Sequence, residues 1–367
     1  INNNPVCGTY FRPLFVGGWE HSTDDDEVVY NVQTNTLFID LRVPKLGRRI
    51  SSLKDGHGWG EYTDQELKLM ARRHAFAGYT KWGMEKASPP APPATLFSST
   101  TERCVCTRHH CIDYNFVGVP RPRPNKWYAE MKHDKQTWKE WAYAKDEFGQ
   151  HYYWERWERY ERDGKGGGLV LALRKDLGLK TTSDTNDERD GIVVVVGDHF
   201  NYILDRKLKN KGARKEGSSA IQCIDGAIES DDRALAESYM SMDAGHGLIS
   251  NGWTIDCALH PWREGTQFLT KDSISIILPE GEKDSDSTLL ENVNVTSCKV
   301  VINGCTYSIY ECNVTVEKLG MILRNSQHQK SAACARTSAS TSTSSLDSVL
   351  FHEDRSIQAC RKRKVEH

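Results

Sequence analysis

Short runs of alternating apolar and polar residues, each closed by Gly, Pro, Asn or Asp, recur along most of this chain. They constrain its fold more than any single motif does. In the first half they fall at Arg12–Val16, Val28–Gln33, Leu37–Val43, Val105–Phe116, Lys126–Lys132, Thr137–Ala142 and Tyr152–Tyr160. A period of two sends successive side chains to opposite faces, so each run reads as a strand. The pattern restarts after the glycine run Asp163–Gly168 with LVLALR and IVVVVG, followed by HFNYILD, WTIDCAL and SISIIL. In CKVVINGCTYSIYECNV, Asn303 and Gly304 between two β-rich runs predict a type I′ hairpin. Roughly seven or eight strands per half, with so few helices, exclude a doubly wound α/β fold and predict a mainly β chain of two tandem antiparallel β-barrels.

One helix interrupts the first barrel. In YTDQELKLMARRHAFAGYT, Thr63 and Glu66 form a capping box, Leu67, Met70, Ala71 and His74 share a face, and Gly78 supplies the stop. The segment SPPAPPATLFSSTT reads as a surface loop, and SMDAGHGLI as a loop with glycines either side of His246. The glycine run is the clearest boundary, giving a first domain over 1–163, a linker over 164–168 and a second domain over 169–320. Residues 321–367, rich in Ser and Thr, read as a disordered tail ending in the basic cluster Arg361–Lys364. That cluster is read first as a solvated charge run and second as a nuclear import signal.

Bulk properties narrow the function classes. With 48 basic and 50 acidic residues, the net charge of −2 argues against nucleic acid as the partner. No run of about 18 apolar residues exists, so nothing reads as a membrane-spanning helix. Eleven scattered cysteines, an odd number, point to reduced thiols and a cytoplasmic setting. Asn-X-Thr triplets at Asn294 and Asn313 weigh the other way, and a chain starting at Ile1 leaves an upstream leader open.

Several phrases together carry a resemblance: VVYNVQTNTLFIDLRVP, DQELKLMARRHAFAGYT, CTRHHCIDYNF, YYWERWERYER and DGIVVVVGDHFNYILDRK. Over roughly Phe11 to Val314 the chain resembles the fungal Hri-type family of kinase-interacting proteins and related bacterial and eukaryotic proteins. The resemblance implies two consecutive lipocalin-like, calycin-type barrels, and it makes a kinase a candidate protein partner. It implies no activity.

The stretch VCTRHHCIDYNF concentrates chemistry. As an unbroken strand it sets Cys106, Arg108, His110, Ile112, Tyr114 and Phe116 on one face, and Val105, His109, Cys111 and Asp113 on the other. The adjacent histidines diverge, and Arg108 is a poor neighbour for a cation, so no metal site is predicted. In LFIDLRVP, Leu37, Ile39, Leu41 and Val43 oppose Phe38, Asp40 and Arg42. Soluble barrels ordinarily turn the apolar face inward, which makes Asp40 and Arg42 a solvated pair. If the apolar face packs outward instead, both line the cavity and must pair or hold a ligand.

Asp40, Arg42, Arg108 and His110, with Trp154 or Trp157, could then converge on a small anionic or amphipathic molecule. Against this, WERWER also reads as ordinary cross-strand pairing. Three functions follow: non-catalytic binding in the first barrel, an enzyme using His110 with Asp113 or Asp40 as an acid–base pair, or an interaction scaffold with filled barrels. Cys106 or Cys111, with Arg108 nearby, is a further candidate nucleophile. No cofactor motif is present; a haem bound through His110 or His199 is the one cofactor left open.

Overall fold

The structure, a computed structural model, describes residues 4–17, 27–52, 56, 58–86, 102–117, 121–145, 151–163, 168–177, 189–207, 219–270, 273–279 and 293–325. The proline-rich segment, most of the glycine linker and the basic cluster lie outside them. Among the described residues no helix is long and apolar enough to cross a membrane.

The first eight strands are β1 (Gly8–Gly17), β2 (Glu27–Gln33), β3 (Leu37–Pro44), β4 (His74–Lys86), β5 (Glu102–Asp113), β6 (Asn125–Met131), β7 (Thr137–Ala142) and β8 (Tyr153–Arg159). They pair antiparallel in chain order, and β8 returns to β1 to close a barrel. The β1/β8 seam shifts register between Phe11 and Leu14, where Pro13 sits. Lacking an N–H, proline is tolerated at such an irregularity.

The second sheet contains β9 (Val170–Lys175), β10 (Gly191–Val196), β11 (His199–Leu204), β12 (Asp243–Leu248), β13 (Thr254–Ala258), β14 (Ile274–Ile277), β15 (Lys299–Ile302) and β16 (Cys305–Cys312). Its order is β13-β12-β11-β10-β9-β16-β15-β14, all antiparallel. First and last strands pair as in the barrel, but β13 and β14 are not paired with each other among the described residues. Closure by strand pairing is therefore found in the first half only. The β15–β16 turn is the expected one, with Asn303 and Gly304 at φ 50° and 77°.

Among the described residues five α-helices accompany these sheets: α1 (Lys45–Ser51), α2 (Asp64–Met70), α3 (Ala220–Glu229), α4 (Arg233–Tyr239) and α5 (Val316–Asn325). The Thr63–Glu66 capping box is present, but α2 ends at Met70, and Gly78 lies inside β4 instead of stopping a helix. Pairing decides this: from His74 the chain runs against β3, and the buried Arg73 anchors the turn through Ala258 O, Gly47 O and Ser51 Oγ. Helix α1 follows Pro44 with no side-chain cap, so it left no signal. The expected loop at His246 is β12, held by ladders to β11 and β13. The expected tail begins too early, because α5 runs on to Asn325 and its Leu323 is buried in the second core.

The apolar face of β3 turns outward. Leu37, Ile39, Leu41 and Val43 share one core with Leu67 and Met70 of α2, Ile192, Val194 and Val196 of β10, and Ile224 of α3. Asn201 of β11 reinforces this seam by donating to Tyr30 O and Ile39 O at 3.0 and 3.2 Å. With its apolar face committed to the neighbouring sheet, β3 keeps Asp40 and Arg42 for the barrel side. The second sheet has an apolar core on its other face as well, where Leu169, Leu171, Leu173, Val193, Val195 and Phe200 pack with Trp253 and Phe268.

A half-plugged, charged cavity in the first barrel

One end of the first barrel is closed by side chains. Trp127, Trp138 and Trp157 stack in series, with ring centroids 5.3 Å apart at each step, and Tyr10 meets Trp138 edge-on at 5.8 Å. Trp157 is thus floor material, buried completely. Trp154 faces the other way, with Val105, Tyr128 and Trp141 and with the Lys139 ammonium 4.2 Å from its ring. Neither tryptophan lines the cavity.

Above the floor lies a cavity of about 690 Å³, with Arg42, Arg108, His110, Glu140, Tyr153 and Glu155 in its walls. The start of α3 adds Ser219 and Ile221, and Phe76, Phe116, Arg72 and Arg123 also line it. Arg42 therefore lines the cavity, while Asp40 is fully buried behind it and is not part of the wall; the solvated-pair expectation fails because the outer face of β3 is covered.

The inner charges form a network. Arg12 bridges Glu27 and Glu155 at 2.7 and 2.9 Å. Arg42 takes both oxygens of Asp40 through Nε (2.9 Å) and Nη2 (3.2 Å), and Asn31 Nδ2 donates to Asp40 Oδ2 at 3.1 Å. Arg108 Nη1 stands 3.7 Å from the same carboxylate, its guanidinium over the Phe38 and Trp127 rings at 4.3 and 5.1 Å. Burial alone would raise the Asp40 carboxyl, but Arg42, then Arg108 and Arg12, overcome it and hold it below the ordinary range.

Glu140 behaves oppositely. Burial and then the Glu155 carboxylate push it up to about 8 against the pull of Arg108, and Tyr153 hydroxyl donates to its Oε1 at 2.8 Å. Near neutrality it is a buried carboxylic acid. The folded state thus holds a proton that the unfolded chain, with an ordinary value of about 4.3, has released. This contribution is complete below the unfolded value and is lost as pH rises through the folded one. The buried His110, His199, His246 and His260 titrate below their ordinary value, so they cost stability as pH falls through about 6.5, where the unfolded histidines take up protons. Between about pH 6.5 and 8, the unfolding free energy of the wild type relative to Glu140→Gln, in which the histidines and thiols titrate alike, should fall with rising pH, by up to about 1.4 kcal/mol per unit. A difference between the two proteins that does not change with pH would show Glu140 ionised throughout.

His110 and Asp113 are brought together by a bulge. Gly78 pairs with His110 but Ala77 pairs with Ile112, so β5 carries one extra residue. The slip reverses the alternation: Ile112 joins the outer core, and Asp113 comes round to the side of His110. Gly78 is required there, since a Cβ would lie 1.9 Å from the backbone oxygen of His109.

His110 Nδ1 is 2.6 Å from Asp113 Oδ2, and Asp113 also accepts from Arg121 Nη1 (3.0 Å) and Asn115 N (2.9 Å). The imidazole stacks on Phe76 at 4.7 Å. Burial lowers its pKa and outweighs the Asp113 hydrogen bond, leaving neutral imidazole with Nδ1–H donated and Nε2 a bare acceptor. Of the two carboxylates paired with His110 on sequence, Asp113 is the partner; Asp40 belongs to the arginines.

The remaining candidates separate. Burial pushes the Cys106 thiol well above its ordinary value despite Arg108, and Cys111, also raised by burial, packs on the outer core, so neither is an activated nucleophile. Both ring nitrogens of His199 are engaged, Nδ1 with His246 Nε2 (3.0 Å) and Nε2 with Glu161 O (2.6 Å), which leaves none to ligate haem. No group of three or more His, Cys, Asp or Glu is placed to hold a metal ion among the described residues.

Sequence reasoning missed Arg12, Glu27, Glu140, Tyr153, Glu155 and Arg121. The signal for two of them was in the alternation: Glu140 shares its face with Trp138 and Ala142, and Glu155 with Tyr153 and Trp157.

No family model and no curated protein match the chain. A crystal structure of the uncharacterized protein YLR301w from Saccharomyces cerevisiae is similar at a TM-score of 0.41 and 11% identity, covering 83% of this chain and 98% of that one.

Proposed function

We propose that this protein binds a small anionic, amphipathic molecule in the first barrel. The observation that carries the reading is the contrast between the barrel interior and the core of the second sheet. The second is packed with apolar side chains, whereas the first keeps a cavity of about 690 Å³ walled by charged groups. Holding these charges away from bulk water is costly for stability alone, and a ligand gives them a use. A saturable fluorescence rise with 1-anilinonaphthalene-8-sulfonate, an anionic amphipathic probe, is expected for the wild type. Arg42→Ala and Arg108→Ala should each weaken it about tenfold or more, roughly 1.4 kcal/mol, with the near-ultraviolet spectrum retained. Undiminished uptake in both folded variants would put the pocket elsewhere.

The His110–Asp113 contact supports a second reading, acid–base catalysis on the bound molecule with His110 Nε2 as the base. His110→Gln should then spare binding and abolish turnover. The cyclic strand order common to both sheets supports the lipocalin-like, tandem calycin-type architecture that the Hri-type resemblance implies. A kinase partner and a cytoplasmic setting are proposed on the sequence grounds given above.

A further inference from the structure

We infer that the ligand of the first barrel carries a single carboxylate, gripped by the Nε/Nη2 edge of Arg108, with its apolar body directed towards the mouth. The inference rests on the binding reading and names the chemistry of its ligand.

Arg108 is 2% exposed, and its Nε and Nη2 have no hydrogen-bond partner among the described residues. Those two atoms form one edge of the guanidinium, with parallel N–H bonds spaced to meet the two oxygens of a carboxylate. Arg42 uses the same edge on Asp40, and Arg12 divides its donors between Glu27 and Glu155. Of the three interior guanidiniums, only Arg108 lacks a carboxylate at hydrogen-bond distance.

The charge balance limits what can be added. Arg12, Arg42 and Arg108 already face Glu27, Asp40 and Glu155, with Glu140 carrying a proton. A monoanion meets Arg108 directly. A phosphate or dicarboxylate at Arg108 brings a second negative charge beside Asp40 and Glu155, where the other cations of the wall are already paired (Arg121 with Asp113, Lys126 with Glu85) or exposed (Arg72 and Arg123), and in a buried site that is severely unfavourable. An amine would have to lie against Arg108. Buried polar atoms without partners among the described residues also occur on Glu140 (Oε2), Glu155 (Oε2) and His110 (Nε2), all in the cavity wall; the Glu140 proton can be donated to a carboxylate oxygen held by Arg108. Phe15, Phe76, Phe116 and Ile221 supply apolar wall for the rest of the molecule.

Isothermal titration of the full chain with decanoate, methyl decanoate, decyl phosphate and decylamine tests this on the wild type, free of any folding defect in a variant. Decanoate is expected to bind at least about tenfold more tightly than the other three. Arg108→Lys, which keeps the charge but loses the fork, should erase that preference. An ester that binds as well as the acid, or a phosphate or amine that binds more tightly, overturns the carboxylate assignment and leaves the cavity reading standing. Failure of all four to bind overturns both.

Discussion

Arg12→Met is expected to lower the stability of the folded chain by about 3–5 kcal/mol, measured as the shift in urea unfolding. Its guanidinium is almost fully buried at the seam where the barrel closes, bonded to Glu27 of β2 and Glu155 of β8 while itself standing on β1. Methionine preserves much of the bulk over Phe15, whose ring lies 4.9 Å below the guanidinium. What it removes is the charge that lets two carboxylates remain inside.

Arg42 offers Glu155 only a 4.0 Å approach and is already committed to Asp40. The cost is therefore mainly that of carboxylates left under-compensated in the interior, not of two hydrogen bonds. The triple variant Arg12→Met, Glu27→Gln, Glu155→Gln separates these causes. Removing the charges together should recover most of the loss, since a buried ion pair contributes little beyond its apolar replacement. If the triple variant is no more stable than the single one, the role of Arg12 is packing at the seam.

Much of the architecture could be read from the alternation of side chains, and the orientation of the first barrel could not. LFIDLRVP announces two faces, but a strand says nothing of what lies beyond each. The polar face of β3 is inside because the second sheet and α2 claim Leu37, Ile39, Leu41 and Val43, a contact between residues far apart in sequence. The His110–Asp113 pair was named from proximity along the chain, yet the strict period of two placed them on opposite faces. A single bulged residue opposite Gly78 reverses that. Arg12 was invisible for a related reason, since its partners lie 15 and 143 positions away. Trp157 was assigned to a binding wall by its aromatic character alone, whereas depth along the barrel, which sequence does not record, makes it part of the floor.

That position makes the second large effect predictable. Trp157→Ala should destabilise the chain by about 3–5 kcal/mol, because it deletes a completely buried indole and leaves a void that the flat stack cannot collapse into. The series Trp127–Trp138–Trp157 loses its end member, and the neighbouring Trp138 ring loses the more nearly parallel of its two stacking partners, the one within 7°. The indole N–H groups of all three have no acceptor among the described residues, a penalty of about 1–3 kcal/mol for each such group. Trp157→Phe should consequently cost less than its size alone suggests, since it keeps an aromatic face against Trp138 and removes one unsatisfied donor. Added indole should bind the alanine variant and raise its thermal midpoint, as an apolar cavity with a fitting ligand does. The wild type, whose floor is filled, should not respond. If indole leaves the alanine variant unchanged, the floor has closed over the missing ring and the tryptophan stack is less rigid than its geometry implies. A midpoint that rises equally in both proteins would instead place the indole above the floor, in the charged cavity itself.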